Sequence, residues 1–159
     1  MISLIEILDA NRQPVQLVDP NGVVLEAIAV MARFQIGCLV VAEDEHVVGL
    51  LTERDYLQKV VLRGRTSRTT LVREIMSAPA MVAGPQDDAE ACLRRMLAYR
   101  VKYLPIVDRD RVIALLSRGD FLRHRLLTEQ RAHDRNTTGR YPIADAATPD
   151  DPAGGLRTG

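Results

Sequence analysis

The sequence is poor in the residues that mark several common classes of protein. Its 159 residues include no tryptophan and only two cysteines, and aromatic side chains make up 4% of the chain. Cys38 and Cys92 lack CxxC or Cys/His ligand spacing, so we interpret both as reduced core residues. Basic and acidic side chains number 21 each, for a formal net charge of zero. This balance argues against duplex nucleic acid as a partner.

Long apolar segments and catalytic patterns are missing as well. No run approaches the length that spans a bilayer, and Glu6 and Asp9 interrupt the apolar residues where a signal peptide would need them. We therefore expect a cytoplasmic protein without a membrane partner. The histidines at 46, 124 and 133 have no metal or nucleophile partner spacing, and no glycine-rich phosphate loop occurs. The sequence thus predicts no metal site, no catalytic residue, no catalytic cofactor and no enzyme activity.

What the sequence does contain is an internal duplication. GLLTERDY at 49–56 recurs as ALLSRGDF at 114–121, and the two aspartates lie 65 residues apart (120 − 55). The same shift pairs Pro20 with Pro85 and needs no insertion. Chance alignment of apolar segments would not match a proline, two aspartates and two hydroxyl residues in register. We interpret the duplication as real.

Each copy predicts the order β-α-β-β-α. In the first copy, the expected strands are 15–18, 38–42 and 47–51. Leu25, Ile28, Ala29 and Ala32 fall at i, i+3, i+4 and i+7, which predicts the buried face of an amphipathic helix. A second helix is expected to run from Thr52 to about Gly64.

The second copy repeats these elements. Its expected strands are 80–83, 104–107 and 112–116, with a helical stripe from Ala89 to Leu97 and a last helix from Ser117 to about Gln130. The segments Ile2–Leu8 and Leu71–Met76 hold matching places before the two copies. We therefore divide the chain into repeat 1 (1–66), repeat 2 (67–132) and a C-terminal tail (133–159). The tail has no apolar periodicity, so we expect it to be disordered.

The repeated T/S-x-x-D motif has two compatible interpretations. In one, Thr52 and Ser117 are helix N-caps, and Asp55 and Asp120 complete capping boxes and complement the helix dipoles. In the other, the same groups also hold a ligand. A helix N-terminus attracts phosphate, a hydroxyl can donate to a phosphate oxygen, and a carboxylate can accept hydrogen bonds from a ribose diol.

The arrangement resembles the CBS-domain pair, also called the Bateman module. The resemblance is carried by G-h-h-T-x-x-D at Gly49–Asp55 and its copy at Ala114–Asp120, by the strands IGCLVV and VKYLPI, and by the linker VREIMS. It covers about Ile2 to Leu127. It implies an α/β (α+β) fold in which two β-α-β-β-α repeats pack sheet to sheet as a pseudo-two-fold pair, in a stand-alone tandem CBS-domain protein.

The resemblance also implies two clefts between the repeats that bind adenine nucleotides. Thr52 and Asp55 would serve one cleft, and Ser117 and Asp120 the other, with the aspartate on ribose and the hydroxyl near ribose or phosphate. Strand residues would border the adenine, chiefly through backbone groups: Gly37, Cys38, Leu39, Tyr103, Leu104 and Pro105. The nearest cations for the phosphates are Arg54, Arg100, Lys102 and Arg118, each of which is otherwise explained as part of a solvated charged face.

Two differences between the copies bear on the expected clefts. Ala114 stands where the first copy has Gly49, and Pro105 stands where it has Val40. If Gly49 lets a ligand approach the backbone, the methyl group of Ala114 is expected to narrow the second cleft.

The resemblance favours a regulatory module that binds an adenosyl ligand such as AMP, ADP, ATP, S-adenosylmethionine or NADH. As a homodimer, it would signal to a separate target protein. The alternative is a structural or protein-interaction module that dimerises and has vestigial clefts. A single-strand nucleic-acid binder is disfavoured by the zero net charge and the few aromatic residues.

Overall fold

The computed structural model describes residues 1–10 and 14–138. The chain divides into two compact units, Met1–Leu126 and Leu127–Gly159. The strands and the hydrophobic cores described below belong to the first unit, and the described residues of the second are helical. The elements in chain order are α1 (Leu4–Ala10), β1 (Leu17–Val18), α2 (Val24–Phe34), β2 (Cys38–Glu43), β3 (His46–Thr52), α3 (Glu53–Tyr56), a π-helical turn (Leu57–Val61), α4 (Val72–Ile75), α5 (Ala89–Ala98), β4 (Tyr103–Asp108), β5 (Arg111–Ser117) and α6 (Arg118–Thr138).

The strands form one small sheet in each copy. In the first copy the order is β1-β2-β3, with β1 parallel to β2 and β2 antiparallel to β3. In the second, β4 and β5 form an antiparallel pair. Both hairpins turn on two residues of positive φ, Asp44 and Glu45 in one and Arg109 and Asp110 in the other. Such turns match the twist of the flanking strands.

The duplication is visible in the backbone as well as in the sequence. The residues after α2 and α5, Gln35 and Arg100, both adopt the left-handed conformation, with φ of 53° and 56°. They lie 65 residues apart (100 − 35), as do the hairpin residues of positive φ. Both copies therefore turn at equivalent positions, and the predicted α/β pair of repeats is confirmed.

Each copy has its own core, and each core is completed by a helix that precedes the other copy in the chain. Leu4 and Ile7 of α1 pack with the second-copy residues Met96, Leu104 and Ile106. Backbone hydrogen bonds, such as the 3.0 Å bond from the Leu4 N–H to the Asp87 carbonyl, fix α1 there. The packing of α1 therefore crosses the sequence division between 1–66 and 67–132.

The linker helix α4 makes the reciprocal exchange. Its residues Val72 and Ile75 are buried in the first core, among Val24, Leu39 and Leu51. Each copy thus depends on a helix that the sequence assigns to its neighbour.

A third cluster joins the two sheets. Cys38, Val40 and Leu50 of the first sheet are buried, and Tyr103 and Leu115 of the second pack against them. The expected sheet-to-sheet packing is therefore present.

Two expected elements of the first copy differ from the structure. Helix α2 buries Val24, Ala27 and Met31, whereas Leu25 and Ala29 of the predicted face are exposed. Apolar residues lie on two overlapping faces of this helix. The face formed by Val24, Ala27 and Met31 is the one that packs into the core. The expected helix from Thr52 begins as α3 and then widens into the π-helical turn, which ends before the positive φ of Gly64.

The second copy differs at its two ends. The expected strand at 80–83 is reduced to a single parallel bridge between Ala83 and Ile106. Helix α6 continues to Thr138, past the expected end near Gln130, so it includes the first residues that the sequence analysis assigned to the tail. The remainder of that tail, 139–159, lies outside the described residues. None of the helices within residues 1–10 and 14–138 is long and apolar enough to cross a membrane.

Candidate functional site

The T/S-x-x-D motif forms a helix cap in both copies. The Asp55 N–H donates to Thr52 Oγ1 (3.1 Å), and the Thr52 N–H donates to Asp55 Oδ2 (3.0 Å). The corresponding distances between Ser117 and Asp120 are 3.3 and 2.7 Å. The capping interpretation is confirmed, because each pair satisfies two backbone donors that a helix start leaves open.

The hydroxyl groups of these caps already use their hydrogens. Thr52 Oγ1 donates to Asp55 Oδ2 over 2.9 Å, and Ser117 Oγ donates to Asp120 Oδ2 over 2.7 Å. A hydroxyl has one hydrogen to donate and accepts through its lone pairs. In this conformation, neither group can also donate to a phosphate oxygen.

The first cleft lies between α3 of the first copy and the start of β4 in the second. Its volume is about 680 Å³. Thr52 and Asp55 line it, together with the predicted cations Arg54, Arg100 and Lys102. The structure therefore brings three of the four predicted cations, from both copies, into the cleft of the first cap. The remaining lining residues are Gly37, Leu50, Glu53, Leu57, Gln58, Lys59, Ser77, Val101 and Tyr103.

The second cleft contains the other cap and is smaller, at about 200 Å³. Ser117 and Asp120 line it opposite Gly37 and Cys38 of the first copy. Its other lining residues are Pro14, Val15, Gln16, Ile36, Tyr103 and Leu115. Arg118 lies in an adjoining cavity of about 210 Å³, with Lys102, Tyr103, Ser117 and Gly119.

Tyr103 and Gly37 form the boundary between the clefts, since both residues line both cavities. A Cβ atom on Gly37 would lie 3.0 Å from Tyr103 Oη and 3.2 Å from Glu53 Oε2. Glycine therefore leaves room for the tyrosine hydroxyl at this position. Burial is the main cause that raises the pKa of Tyr103, followed by the nearby Cys38, Glu53 and Asp120 groups. The phenol is therefore a neutral hydrogen-bonding group near neutral pH.

Three of the expected adenine-bordering residues have side chains away from the clefts. Leu39 and Leu104 belong to the cores of the two copies, and Pro105 is buried in β4. None of the three lines the cavities described above. Their expected contribution through backbone groups stays a prediction.

The expected role of Gly49 is wrong. A Cβ atom there would lie 2.9 Å from the Ser77 carbonyl oxygen and 3.0 Å from Met76 Sδ. The neighbouring Leu50 forms a β-bridge with Ser77. Gly49 therefore makes room for the linker backbone, and neither it nor Ala114 lines a described cleft, so their difference does not narrow the second one.

Two of the polar residues of the first cleft that were not predicted donate hydrogen bonds to Asp55. Lys59 Nζ donates to Asp55 Oδ1 (2.8 Å) and to the Ile75 carbonyl (2.8 Å), and Ser77 Oγ donates to Asp55 Oδ1 (3.0 Å). The i, i+4 spacing of Asp55 and Lys59 is a sequence signal for a salt bridge on a helix. Ser77 has no such signal, because it reaches the site from the linker, 22 residues away.

Comparison with known proteins identifies the same two copies. The model of the CBS domain matches residues 6–62 and 72–127. The CBS domain-containing protein YhcV of Bacillus subtilis is 28% identical over 121 residues, which cover 76% of this chain and 86% of that protein. The mitochondrial CBS domain-containing protein CBSX3 of Arabidopsis thaliana is 30% identical over 108 residues. This match covers 65% of the chain and about half, 52%, of the length of CBSX3.

A solved structure shares the architecture. The putative signal-transduction protein with CBS domains from Burkholderia ambifaria is 31% identical and superposes with a TM-score of 0.70. The match covers 90% of this chain and all of that one. Together with the two matched segments, which take up most of the chain, this likeness shows that the protein belongs to the CBS-domain family and carries two CBS domains in tandem.

Proposed function

We propose that the protein is a regulatory module that binds an adenosyl ligand between its two CBS domains and signals to a separate partner protein. CBS modules generally bind adenosyl ligands. The observation that carries the proposal is the position of the two capping carboxylates. Asp55 and Asp120 each line a cavity that is also lined by residues of the other copy. A carboxylate in such a place can accept a ribose hydroxyl where it has an open acceptor position, and Arg54, Arg100 and Lys102 can meet phosphates.

The regulatory step requires two conformations with different affinities for the ligand. The linker is a suitable element for this step, because Lys59 and Ser77 join Asp55 to the segment that connects the two domains. A ligand that changes these bonds changes how the linker is held.

Thermal unfolding of ligand-free protein with AMP, ADP, ATP, S-adenosylmethionine or NADH tests the proposal. A ligand at 100 times its dissociation constant is expected to stabilise the fold by about 2.7 kcal/mol. For a chain of this size, the melting temperature should rise by roughly 5 to 10 °C. CMP at the same concentration controls for nonspecific phosphate binding. If no adenosyl compound raises the melting temperature, the proposal is wrong and a dimerisation module with vestigial clefts becomes the better description.

We also propose that the module acts as a homodimer. Large apolar side chains are exposed at equivalent helix positions of the two copies, and we call them the apolar helix face: Phe34, Leu57, Val61, Tyr99, Leu122 and Leu126. The shift of 65 residues pairs Phe34 with Tyr99, Leu57 with Leu122 and Val61 with Leu126. An exposed apolar surface of this kind is typical of an interaction site. Because the surface is itself duplicated, a second copy of the chain can match it about a two-fold axis.

A further inference from the structure

The carboxylate of Asp55 has no acceptor position left for a ligand. Its Oδ2 atom accepts from the Thr52 N–H and Oγ1, at 3.0 and 2.9 Å. Its Oδ1 atom accepts from Lys59 Nζ and Ser77 Oγ, at 2.8 and 3.0 Å. A carboxylate offers about four lone-pair positions, so these four donors saturate it. Asp55 is also buried, with 6% of its surface exposed.

The equivalent carboxylate in the second copy is open on one side. Asp120 Oδ2 accepts from the Ser117 N–H and Oγ, both at 2.7 Å. Among the described residues, the nearest recorded partner of Oδ1 is Arg123 Nη1 at 3.8 Å. That distance is too long for a hydrogen bond. Asp120 Oδ1 can therefore accept a ribose hydroxyl without displacing a bonded donor.

Lys59 supplies a hydrogen bond to Asp55 that has no counterpart among the described partners of Asp120. Its ammonium group is held from two sides, by Asp55 and by the carbonyl of Ile75. The chain contains only two lysines beside nineteen arginines. An ammonium group is compact and directs three donors from one atom, whereas the donors of arginine are spread over a planar fork. Lysine therefore suits a position between one carboxylate oxygen and one carbonyl oxygen.

The charges around the clefts agree with this difference. Arg54, Arg100 and Lys102 outnumber the carboxylate of Glu53 in the first cleft. Lys59 and Asp55 form an ion pair there. Among the described residues that line the second cleft, Asp120 carries the charge. The first cleft therefore suits anionic groups, and the second suits an uncharged nucleoside. The second cleft is the smaller one, but a ribose diol needs a free acceptor whatever the size of the cleft. The difference in volume therefore does not change the assignment of the nucleoside to the second cleft.

We propose that Lys59 is a specificity-determining residue that keeps Asp55 from accepting a ribose diol, so that the nucleoside part of a ligand binds at Asp120 in the second cleft. This inference rests on the proposed function, because it decides which cleft of the adenosyl-binding module takes the nucleoside. Removing Lys59 should open one acceptor position on Asp55 Oδ1, where Ser77 remains bonded, and so allow a ribose hydroxyl to bind there.

Calorimetric titration of the full chain with adenosine tests the inference, since adenosine carries the diol without a phosphate. The wild-type protein should bind one adenosine per chain. Asp120→Ala should lose this binding by at least roughly tenfold, the effect of one charge-assisted hydrogen bond. Lys59→Met should bind two per chain, and the combined Lys59→Met/Asp120→Ala variant should bind one. Asp120→Asn, which keeps the side-chain size, gives the same test if the alanine variant does not fold.

Arg63→Met is the matched control, because it removes one positive charge from an exposed residue shortly after Lys59 and outside both clefts. It should bind one adenosine, as the wild type does. Two equal sites in the wild type, loss of binding in Asp55→Ala but not in Asp120→Ala, or an unchanged count in Lys59→Met would each overturn the inference. So would a protein that is stabilised by AMP but does not bind adenosine. The proposed function itself fails only if no adenosyl compound stabilises the protein.

Discussion

The two aspartates of the repeated motif show how residues equivalent in sequence acquire different chemistry. Asp55 and Asp120 have the same spacing from their caps and the same backbone partners. They differ in what surrounds the second carboxylate oxygen, which Lys59 and Ser77 fill only in the first copy. The difference therefore comes from residues outside the motif.

The Cys38 thiol, at the junction of the two sheets, predicts a pH dependence of stability. Burial, with a smaller effect of the Asp55 charge, raises its pKa to about 12, from about 9 in an unfolded chain. Between these values the folded protein binds more protons than the unfolded chain. The stabilising contribution is therefore complete below pH 9 and is lost as the pH rises towards 12, by up to about 1.4 kcal/mol per pH unit.

Urea unfolding between pH 8 and 10.5 measures this effect. The free energy of unfolding of Cys38→Ala should fall less steeply with pH than that of the wild type, with the difference largest above pH 9. Burial also raises the pKa of Tyr103, and the Cys38 group adds to this shift, so the difference between the two proteins includes the part of the Tyr103 shift that depends on Cys38. Cys92→Ala is the comparison, because it leaves Cys38 in place and removes the other thiol, whose pKa burial also raises. Equal slopes for wild type and Cys38→Ala would contradict the prediction.

At the residue scale, the sequence predicted local chemistry well and distant contacts poorly. The caps at Thr52 and Ser117 were predictable because an N-cap depends on residues three positions apart. The role of Gly49 was not, since the group that fills the space beside it is the Ser77 carbonyl from the linker. A glycine in the sequence indicates that another group lies close to the backbone there, but it does not indicate which group that is.

At the scale of elements, each copy packs against a helix that precedes the other copy in the chain. A mutation in such a helix should therefore destabilise the copy against which the helix packs. Leu4 of α1 is fully buried, yet its neighbours belong to the second copy. Leu4→Ala should cost about 2 to 5 kcal/mol, as is usual for truncating a buried leucine. The loss should first affect β4 and β5, although Leu4 precedes the first copy in the chain. Hydrogen exchange of the backbone amides measures this order.

Ile5→Ala is the matched control, because Ile5 lies on the same helix and is 40% exposed. It should cost well under 1 kcal/mol and should leave exchange in β4 and β5 unchanged. Faster exchange in β2 and β3 than in β4 and β5 in the Leu4→Ala protein would show that α1 stabilises the first copy instead.

The order of elements followed from hydrophobic periodicity, whereas the orientation of α2 did not. The stripe of Leu25, Ile28 and Ala29 has the spacing of a buried face, but Val24 and Ala27 face the core. Periodicity identifies an amphipathic helix when one face is polar. Here apolar residues occur on both faces, so sequence alone could not decide which one is buried.

At the scale of the whole molecule, the apolar helix face predicts self-association. Leu57 and Leu122 are equivalent in the two copies and are 54% and 57% exposed. The wild-type protein should sediment with the mass of two chains of 17.7 kDa each. The double variant Leu57→Glu/Leu122→Glu should sediment as a monomer, because an interface that buries unpaired carboxylates is weakened by roughly 3 kcal/mol or more. This corresponds to an increase in the dissociation constant of about 100-fold or more.

The matched control places the same two charges on exposed apolar residues of the strands. Leu17 and Ile113 are 44% and 45% exposed but lie on β1 and β5, and neither belongs to the apolar helix face. Leu17→Glu/Ile113→Glu should therefore remain dimeric, which separates loss of the interface from a general effect of added charge. A wild-type monomer at all concentrations, or a dimer that survives the Leu57→Glu/Leu122→Glu change, would exclude this face as the interface. Adenosine titration of the monomeric variant would then show whether the second cleft, which neither substituted residue lines, binds independently of dimerisation.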